Sequence, residues 1–531
     1  KRLVLKVPQP SSFPSVRIEE PQEPTPDLLP TLDSLLARLD FEDTHPGEVR
    51  RGGRGAFSAL APQLSAPTPA AETARSSPTE RYKVALMAWG SRGDIQPVVA
   101  LAVRLKESGC CVKMLVSDGL GNVDFARSFN LDVDGYPFIA DFEAVDFLMK
   151  GRTADEISDA CDAEPLDNGP EHRIIFDVVN KFNPDLLLYP VGQSAIAWII
   201  EEQLEICTIE FNFHRSGSCE NHVRGQLEDV LNGKHYLDEH LGKQTLRSMR
   251  WEDLIERAGV SRPVFYAVSE LVSERPKSWP PPTSIGGIHM PGYWMLDERS
   301  VALAAGKGLG FFGEDQGLAL GAFVANTPPQ DLIYIGWGSM KVQSRSFMAR
   351  LAVSALKAVG KRGVILGSYH ELNGSALDGV ANSAELKAYA DKHVLFMKWA
   401  PHEWLMPRCS VIVHHGGCGT TAASLRSGKP TVITPVLLDQ FFWAKEVKRK
   451  GVGVSTVQLV NLNTKGLVEA LRACESQGVI RRAAALGESL RKEDGALDTA
   501  KWLISYLRRE VVTGDWKASM LKPTEPKLEF W

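Results

Sequence analysis

An apolar run that ends in a glycine-rich turn constrains the fold of this chain more than any other segment. Residues 411–413 are branched aliphatics, residues 414–421 read His-His-Gly-Gly-Cys-Gly-Thr-Thr, and a helical pattern follows from residue 422. A strand, a tight turn and a helix in this order leave backbone N–H groups at a helix N-terminus, where the helix dipole favours anions. The segment therefore predicts one unit of an α/β sheet with a phosphate site.

A second apolar run, residues 431–436, precedes an acid–amide pair, Asp439 and Gln440. A carboxylate accepts hydrogen bonds and an amide both donates and accepts them, which suits the hydroxyls of a sugar. A diphosphate site beside a hydroxyl site predicts binding of a nucleotide sugar.

Strands and helices alternate in two separate series. The first series predicts strands over residues 83–89, 111–116, 131–138, 185–191 and 206–211, with helices over 95–108, 123–129 and 195–204. The second predicts strands over 332–335, 363–366, 394–396, 411–413 and 431–434, with a helix over 347–359. This alternation indicates an α/β fold of two Rossmann-like doubly wound domains that face each other across a cleft.

The chain divides by composition into five parts. Residues 1–80 are rich in Pro, Ser, Ala and charge, which predicts a disordered tail or linker, apart from a helical leucine spacing at residues 32–39. The N-terminal domain is expected over 81–300, the inter-domain linker over 301–330, the C-terminal domain over 331–510 and a C-terminal tail over 511–531.

Composition excludes several classes of protein. The 531 residues carry a formal net charge of −5, which disfavours a nucleic-acid partner that is bound by bulk positive charge. The eight cysteines include no CxxC pair, so we expect reduced thiols and a cytoplasmic protein. No run approaches the roughly 20 apolar residues of a membrane span, and the first residues do not resemble a signal peptide.

The motifs together resemble the GT-B glycosyltransferases that use UDP-sugars, and most of all the sterol glucosyltransferase branch. The matching segments lie at residues 90–97, 291–294, 400–405, 414–421 and 439–443, and they span most of the chain that we expect to be ordered. The resemblance implies an inverting transfer that requires no metal ion and no cofactor, with the UDP-sugar as co-substrate. The N-terminal domain would bind the acceptor and the C-terminal domain the donor.

Asp94 lies in the Gly-Ser-Arg-Gly-Asp motif between the first strand and the first helix. The resemblance implies that its carboxylate is the general base that takes the proton of the acceptor hydroxyl. Local sequence alone equally favours an N-cap of the helix.

The phosphate ligands follow from the resemblance. His415 would contact the α-phosphate, and Gly417, Gly419 and Thr420 would surround the β-phosphate. Ser339 is a second candidate phosphate donor. Since neighbouring residues on a strand point to opposite faces, His414 should pack inward while His415 faces the cleft.

The nucleobase is expected at a third segment. Trp399 and Ala400 resemble the residues that hold uracil, and His402 stands where plant relatives carry glutamine. A purely structural role for Trp399, as a core aromatic, stays open. Asp439 and Gln440 resemble the pair that binds the hydroxyls of the sugar.

Some residues depart from the family pattern. Plant relatives have a ribose-binding glutamate where this chain has Ala423, and the segments expected to border the acceptor, residues 116–118 and 210–215, differ from those of sterol enzymes. Asp132 and Asp134 resemble a metal-binding DxD motif, but nothing else in the sequence supports a metal site.

The expected reaction is therefore transfer of glucose from UDP-glucose to an apolar hydroxyl acceptor, with a sterol or similar lipid alcohol favoured. Two alternatives stay open: a non-sterol acceptor such as a polyketide or phenolic, and a catalytically silent GT-B scaffold that binds nucleotide or lipid. A lipid acceptor would also require transient peripheral contact with a membrane.

Overall fold

The computed structural model describes residues 82–118, 121–137, 169–213, 263–277, 279, 281–297, 314–340, 342–367, 372–437 and 439–517. These residues belong to one compact unit, Ser77–Trp531. The expectations for residues 1–80, 301–313 and 518–531 lie outside this part of the chain.

The first half of the described chain builds a seven-stranded parallel sheet. Its strands are β1 (Lys83–Ala88), β2 (Cys111–Asp118), β3 (Asp132–Pro137), β4 (Leu186–Pro190), β5 (Cys207–Asn212), β6 (Pro263–Tyr266) and β7 (Gly287–His289). Their spatial order is β3-β2-β1-β4-β5-β6-β7, so the order reverses between β1 and β4.

The second half repeats this topology with six parallel strands. They are β8 (Leu332–Gly336), β9 (Arg362–Leu366), β10 (Val394–Met397), β11 (Val411–His414), β12 (Thr431–Ile433) and β13 (Gly453–Ser455). Their order, β10-β9-β8-β11-β12-β13, reverses between β8 and β11. Both sheets are therefore doubly wound, as the sequence predicts.

Helices connect the strands in both halves. The described helices are α1 (Arg92–Glu107), α2 (Asn122–Ser128), α3 (Gly169–Phe182), α4 (Ser194–Leu204), α5 (Glu314–Ala325), α6 (Arg345–Val359), α7 (Ser383–His393), α8 (His402–Leu405), α9 (Cys418–Ser427), α10 (Gln440–Arg449), α11 (Thr464–Ala473), α12 (Gln477–Arg491) and α13 (Gly495–Tyr506). A five-residue π-helical turn, Leu507–Val511, extends α13.

The strands are apolar on both faces because helices cover both sides of each sheet. Residues 84–87 of β1 are fully buried and alternate between two hydrophobic clusters, one under α1 and the other under α4. Burial of the larger side chains among them, those of Val84, Leu86 and Met87, contributes about 1.5–3 kcal/mol each relative to exposure.

Helix α13 follows the second sheet in sequence but packs against the first. Its buried residues Ala496, Ala500 and Leu503 join the hydrophobic cluster that contains Val84 and Leu101. Our sequence assignment placed this helix in the C-terminal domain, and its core contacts are with the N-terminal one. The chain thus crosses back and ties the two halves together.

One boundary differs in a way that bears on function. The sequence predicts a turn over residues 90–94 and a helix from residue 95, whereas α1 begins at Arg92. Ser91 is the N-cap, so Asp94 is the third residue of the helix and not its cap. The start of α1 could not be recognised from apolar periodicity, because its first turn is small and polar and the apolar pattern begins only at Ile95.

Candidate active site

A cleft of about 510 Å³ lies where the carboxyl ends of the two sheets face each other. Trp89 and Val191 follow β1 and β4 at the switch point of the first sheet, and Gly338 and His415 follow β8 and β11 at that of the second. Open α/β sheets bind ligands at such crevices. All eleven residues predicted for the site line this cleft: Asp94, Ser339, Trp399, Ala400, His402, His415, Gly417, Gly419, Thr420, Asp439 and Gln440.

Asp94 is held by a capping box at the start of α1. Its Oδ2 accepts hydrogen bonds from the Ser91 backbone N–H at 2.8 Å and from the Ser91 hydroxyl at 3.0 Å. A Cβ on Gly90, whose φ is +120°, would lie 2.5 Å from Asp94 Oδ2. Glycine at this position therefore lets the carboxylate fold back over the turn and remain in the cleft.

Helix α9 points its N-terminus into the same cleft. Gly417 is its N-cap, and Gly419 and Thr420 belong to its first turn. The first backbone N–H groups of a helix have no intrahelical acceptor, and the helix dipole makes this end attractive to anions. The arrangement can therefore bind a phosphate, as the sequence predicts.

The two adjacent histidines have different environments. His414 is fully buried, and its Nδ1 accepts a hydrogen bond from the Gly416 N–H at 3.0 Å. His415 lines the cleft, and burial lowers its pKa to about 4. The His415 ring fits only because Gly338 and Gly417 lack side chains, since a Cβ would lie 2.9 Å and 2.5 Å from ring atoms.

The segment expected to hold the nucleobase also lines the cleft. Trp399 is half-buried and Ala400 is buried. His402 Nε2 lies 2.9 Å from the hydroxyl of Tyr334, and burial lowers the pKa of His402 to about 4. The half-exposed indole of Trp399 favours a binding surface over a purely structural core aromatic.

Asp439 and Gln440 already make hydrogen bonds within the protein. Asp439 Oδ2 accepts one from the Trp443 indole N–H at 3.0 Å. Gln440 Oε1 accepts from the backbone N–H groups of Val436 and Leu437 at 2.8 and 3.1 Å. The side-chain oxygen of Gln440 thus binds the loop backbone, so its amide N–H₂ group is the part that can donate hydrogen bonds to a ligand.

Aromatic side chains form the wall of the cleft on the first half. Phe211, Phe213 and Trp294 pack together with ring centroids 5.3–6.0 Å apart, and Trp89 stands at the rim with 38% of its surface exposed. Trp294 donates its indole N–H to Thr499 Oγ1 of α13 at 2.9 Å. This wall suits an apolar ligand.

Several residues that line the cleft were not predicted from the sequence. These are Arg92, Gln96, Tyr334, Met340, Glu403 and Cys418. Gln96 and Glu403 lie within segments that matched family motifs, and that placement was the available signal. Tyr334 reads as an ordinary strand residue, and nothing in its local pattern indicates a role in the cleft.

The carboxylates of the DxD-like pair form ion pairs with a lysine. Lys113 Nζ contacts Asp132 Oδ1 at 2.9 Å and Asp134 Oδ2 at 2.7 Å, so the pair neutralises a lysine on the neighbouring strand. Among the residues that the structure describes, no three His, Cys, Asp or Glu side chains come together in a way that could hold a metal ion.

Two doubly wound parallel sheets that face each other across a ligand cleft define the GT-B fold. Solved structures share it: the glycosyltransferase of kitacinnamycin matches with a TM-score of 0.56 at 17% identity, over 81% of this chain and 100% of that one. The glycosyltransferase VinC, solved in complex with DTDP, matches with a TM-score of 0.54 at 15% identity, over 80% of this chain and 100% of that one.

The chain has the GT-B fold, and the known proteins that it resembles are glycosyltransferases. A family model described as Erythromycin biosynthesis protein CIII-like, C-terminal domain, matches residues 377–496, which contain helix α9. The resemblance stated from sequence is thereby confirmed at the level of fold and transferase class.

Relatives divide between two acceptor types. An O-mycaminosyltylonolide 6-deoxyallosyltransferase of Streptomyces fradiae is 27% identical over 78% of this chain and 94% of its own length. The sterol 3-beta-glucosyltransferase of Saccharomyces cerevisiae is 26% identical over 79% of this chain, which spans 34% of that protein. One from Arabidopsis thaliana is 35% identical over 33% of this chain and 26% of its own length.

No helix in the part of the chain that the structure describes is long and apolar enough to cross a membrane.

Proposed function

We propose that this protein transfers glucose from UDP-glucose to the hydroxyl of an apolar alcohol, with inversion at the anomeric carbon and with a sterol as the favoured acceptor. The observation that carries the proposal is that Asp94, the N-terminus of α9 and Asp439 line one cleft. A base, a diphosphate site and a sugar-hydroxyl acceptor are the groups that such a transfer requires.

The donor site would lie on the second half. The diphosphate would accept hydrogen bonds from the backbone N–H groups of residues 417–420 and from the hydroxyls of Ser339 and Thr420. Uracil would rest against Trp399 and the Ala400 backbone, beside His402. Asp439 would accept, and the Gln440 amide would donate, hydrogen bonds to the sugar hydroxyls.

The chemical step is a displacement at the anomeric carbon. The acceptor oxygen forms a bond to this carbon from the face opposite UDP, the bond from the carbon to the β-phosphate oxygen breaks, and the hydroxyl proton passes to Asp94. An α-linked donor therefore gives a β-glycoside. The helix dipole of α9 and the His415 ring would stabilise the charge that develops on the leaving diphosphate, so no metal ion is required.

The acceptor would lie against the aromatic wall of the first half. Phe213 is half-buried and rests on the buried rings of Phe211 and Trp294, so it can offer an apolar face to a hydrocarbon skeleton, and Asp94 lies in the same cleft. The sterol enzymes among the relatives support a sterol. The Streptomyces relative and the match to the erythromycin biosynthesis family model support a macrolide-like alcohol as the alternative acceptor.

The test is mass spectrometry of reactions that contain the protein, UDP-glucose or dTDP-glucose, and a pool of sterols, lipid alcohols, macrolactones and phenolics. We expect a mass increase of one hexose on a sterol with UDP-glucose. A hexose on a macrolactone alone would replace the sterol proposal with the alternative.

Asp94→Asn is the matched variant. Its amide oxygen can still accept the hydrogen bonds of the Ser91 capping box, so the fold and UDP binding should be retained while transfer is lost. Normal turnover in this variant would remove Asp94 as the base. UDP-glucose binding by the wild type without transfer to any acceptor or to water would support a silent scaffold instead.

A further inference from the structure

Two side chains of α1, the helix that carries Asp94, contact the segment of the other half that is expected to hold the nucleobase. This segment, residues 399–403, is called the nucleobase segment below. Arg92 and Gln96 lie one turn apart on α1, and Trp399 and Glu403 are likewise four residues apart in the segment opposite. The Arg92 guanidinium carbon lies 5.9 Å from the Trp399 ring centroid. Gln96 Nε2 donates a hydrogen bond to Glu403 Oε1 at 2.9 Å.

The same end of α1 also meets the phosphate helix. A Cβ on Gly419 would lie 3.2 Å from the Gly93 carbonyl oxygen, so glycine at residue 419 permits this approach. Pro97 has no N–H, so the Gly93 carbonyl lacks the helical hydrogen bond that residue 97 would normally donate. The first turn of α1 therefore has one intrahelical hydrogen bond fewer than a regular first turn has.

Glu403 is the acceptor of the hydrogen bond from Gln96, and its surroundings restrict its position. It lies in the short helix α8, directly after His402, and burial raises the pKa of its carboxyl. The Gln96 amide and the charge of Arg426 oppose this rise. A hydrogen bond to a carboxylate in such surroundings is stronger than one in water, so it restricts the position of its donor.

We propose that Gln96 is a positioning residue. Through its hydrogen bond to Glu403, it couples nucleotide binding at the nucleobase segment to the position of the helix turn that carries Asp94. The inference rests on the proposed function in one respect, the role of Asp94 as base. Gln96 does not touch the reacting atoms. It sets where the first turn of α1 stands relative to the donor, and small misplacements of a catalytic group can cost orders of magnitude in rate.

Four variants test the pair: Gln96→Leu, Glu403→Leu, the double variant, and Glu403→Gln, whose amide oxygen can still accept from Gln96. Each Leu single variant should lower kcat about tenfold while the KM for UDP-glucose changes less than about twofold. The double variant should be no slower than the slower single variant, because both remove one interaction. Glu403→Gln should restore most of the rate that Glu403→Leu loses.

Amide hydrogen exchange of residues 91–98, measured with and without UDP, tests the coupling independently of transfer. UDP should slow exchange in the wild type and in Gln203→Leu, a matched control in which a half-exposed glutamine of α4 outside the cleft is replaced. UDP should have no such effect in Gln96→Leu. Melting temperatures of all variants verify that they fold.

The outcomes separate the two proposals. Unchanged kcat in the Leu variants, additive losses in the double variant, or UDP-independent exchange in the wild type would overturn the positioning role while leaving glucosyl transfer intact. If the protein transfers no sugar but UDP still slows exchange in a way that requires Gln96, the coupling proposal stands and the transferase proposal is wrong.

Discussion

Tyr334 and His402 share a hydrogen bond of 2.9 Å between the phenolic oxygen and Nε2, at the junction of β8 with the nucleobase segment. Burial raises the pKa of Tyr334 above its usual range and lowers that of His402 to about 4. Both groups are therefore neutral at pH 7, and their bond fixes the orientation of a neutral imidazole at the edge of the cleft.

Tyr334→Phe should weaken donor binding while leaving the chemical step largely intact. The change frees the His402 ring to rotate, so we expect the KM for UDP-glucose to rise several-fold with kcat changed less than about twofold. Loss of one buried hydrogen bond should lower the free energy of unfolding by about 1 kcal/mol. Steady-state kinetics and denaturant unfolding measure both. An unchanged donor KM would show that Tyr334 does not orient His402.

Gln440 allows its two functions to be separated by substitution. Its Oε1 accepts from the backbone of Val436 and Leu437, and its amide nitrogen lies 3.3 Å from Met340 Sδ. Gln440→Glu keeps the acceptor but removes the amide N–H₂, so we expect the KM for the donor to rise about tenfold with a small loss of stability. Gln440→Leu should destabilise the fold by about 2 kcal/mol, because the buried N–H of Val436 and the half-buried N–H of Leu437 lose their acceptor.

Equal loss of stability in the Glu and Leu variants would contradict this division of roles. Denaturant unfolding compares the three proteins, and binding of UDP-glucose by calorimetry reports the donor site separately.

Ten of the thirteen described strands could be predicted from sequence because strands buried on two faces form continuous apolar runs, such as residues 84–88 and 411–413. The other three, β6, β7 and β13, have only three or four residues each, which is too short for a recognisable pattern. The donor-side residues could be predicted because they sit in contiguous motifs at strand ends, where local order already places them near one another. Their roles in binding and catalysis stay predictions.

The remaining features depend on contacts between distant segments. Trp294 meets Phe211 only after the two segments pack together, and Gln96 lies 307 residues from Glu403. The return of α13 to the first sheet was not predictable either, since its amphipathic pattern would suit either half. Periodicity identifies a buried face of an element but not the element that covers it.

Gly417→Ala tests the space around His415. The backbone of Gly417 suits any residue, with a φ of −59°, but a Cβ would lie 2.5 Å from His415 Nε2 and must displace the ring. We expect the affinity for UDP-glucose to fall about tenfold, with a stability change of about 1 kcal/mol or less. Gly321→Ala is the control, because a Cβ there meets nothing within 4 Å. Equal donor affinity in both variants would refute a phosphate contact by His415.

Donor binding should become tighter as the pH falls below 7. Burial and the charge of His402 lower the pKa of His415 to about 4, so the free protein holds a neutral ring. A diphosphate beside the ring would raise this pKa, and binding would then take up a proton. The affinity for UDP-glucose, whose phosphates do not titrate in this range, should rise about tenfold from pH 7 to pH 5. His415→Gln should flatten this dependence, and titration calorimetry in buffers of different ionisation enthalpy should detect the proton.

Stability should decline in acid because of His289, which lies outside the cleft. The ring stacks on Phe265 and contacts Trp502 of α13, and burial, together with the charge of Arg275, lowers its pKa to about 4. The unfolded chain has a pKa near 6.5 at this residue, so it binds the proton more readily than the folded chain does between these values. The contribution is fully present above about pH 6.5 and is lost as the pH falls toward 4, by about 3 kcal/mol in total. Denaturant unfolding at pH 7 and pH 4.5 measures this loss.

His289→Asn should remove most of the difference in stability between the two pH values. Trp502→Phe disturbs the same packing without a titrating group, so it should lower stability equally at both. A difference that persists in His289→Asn would assign the acid sensitivity to other groups.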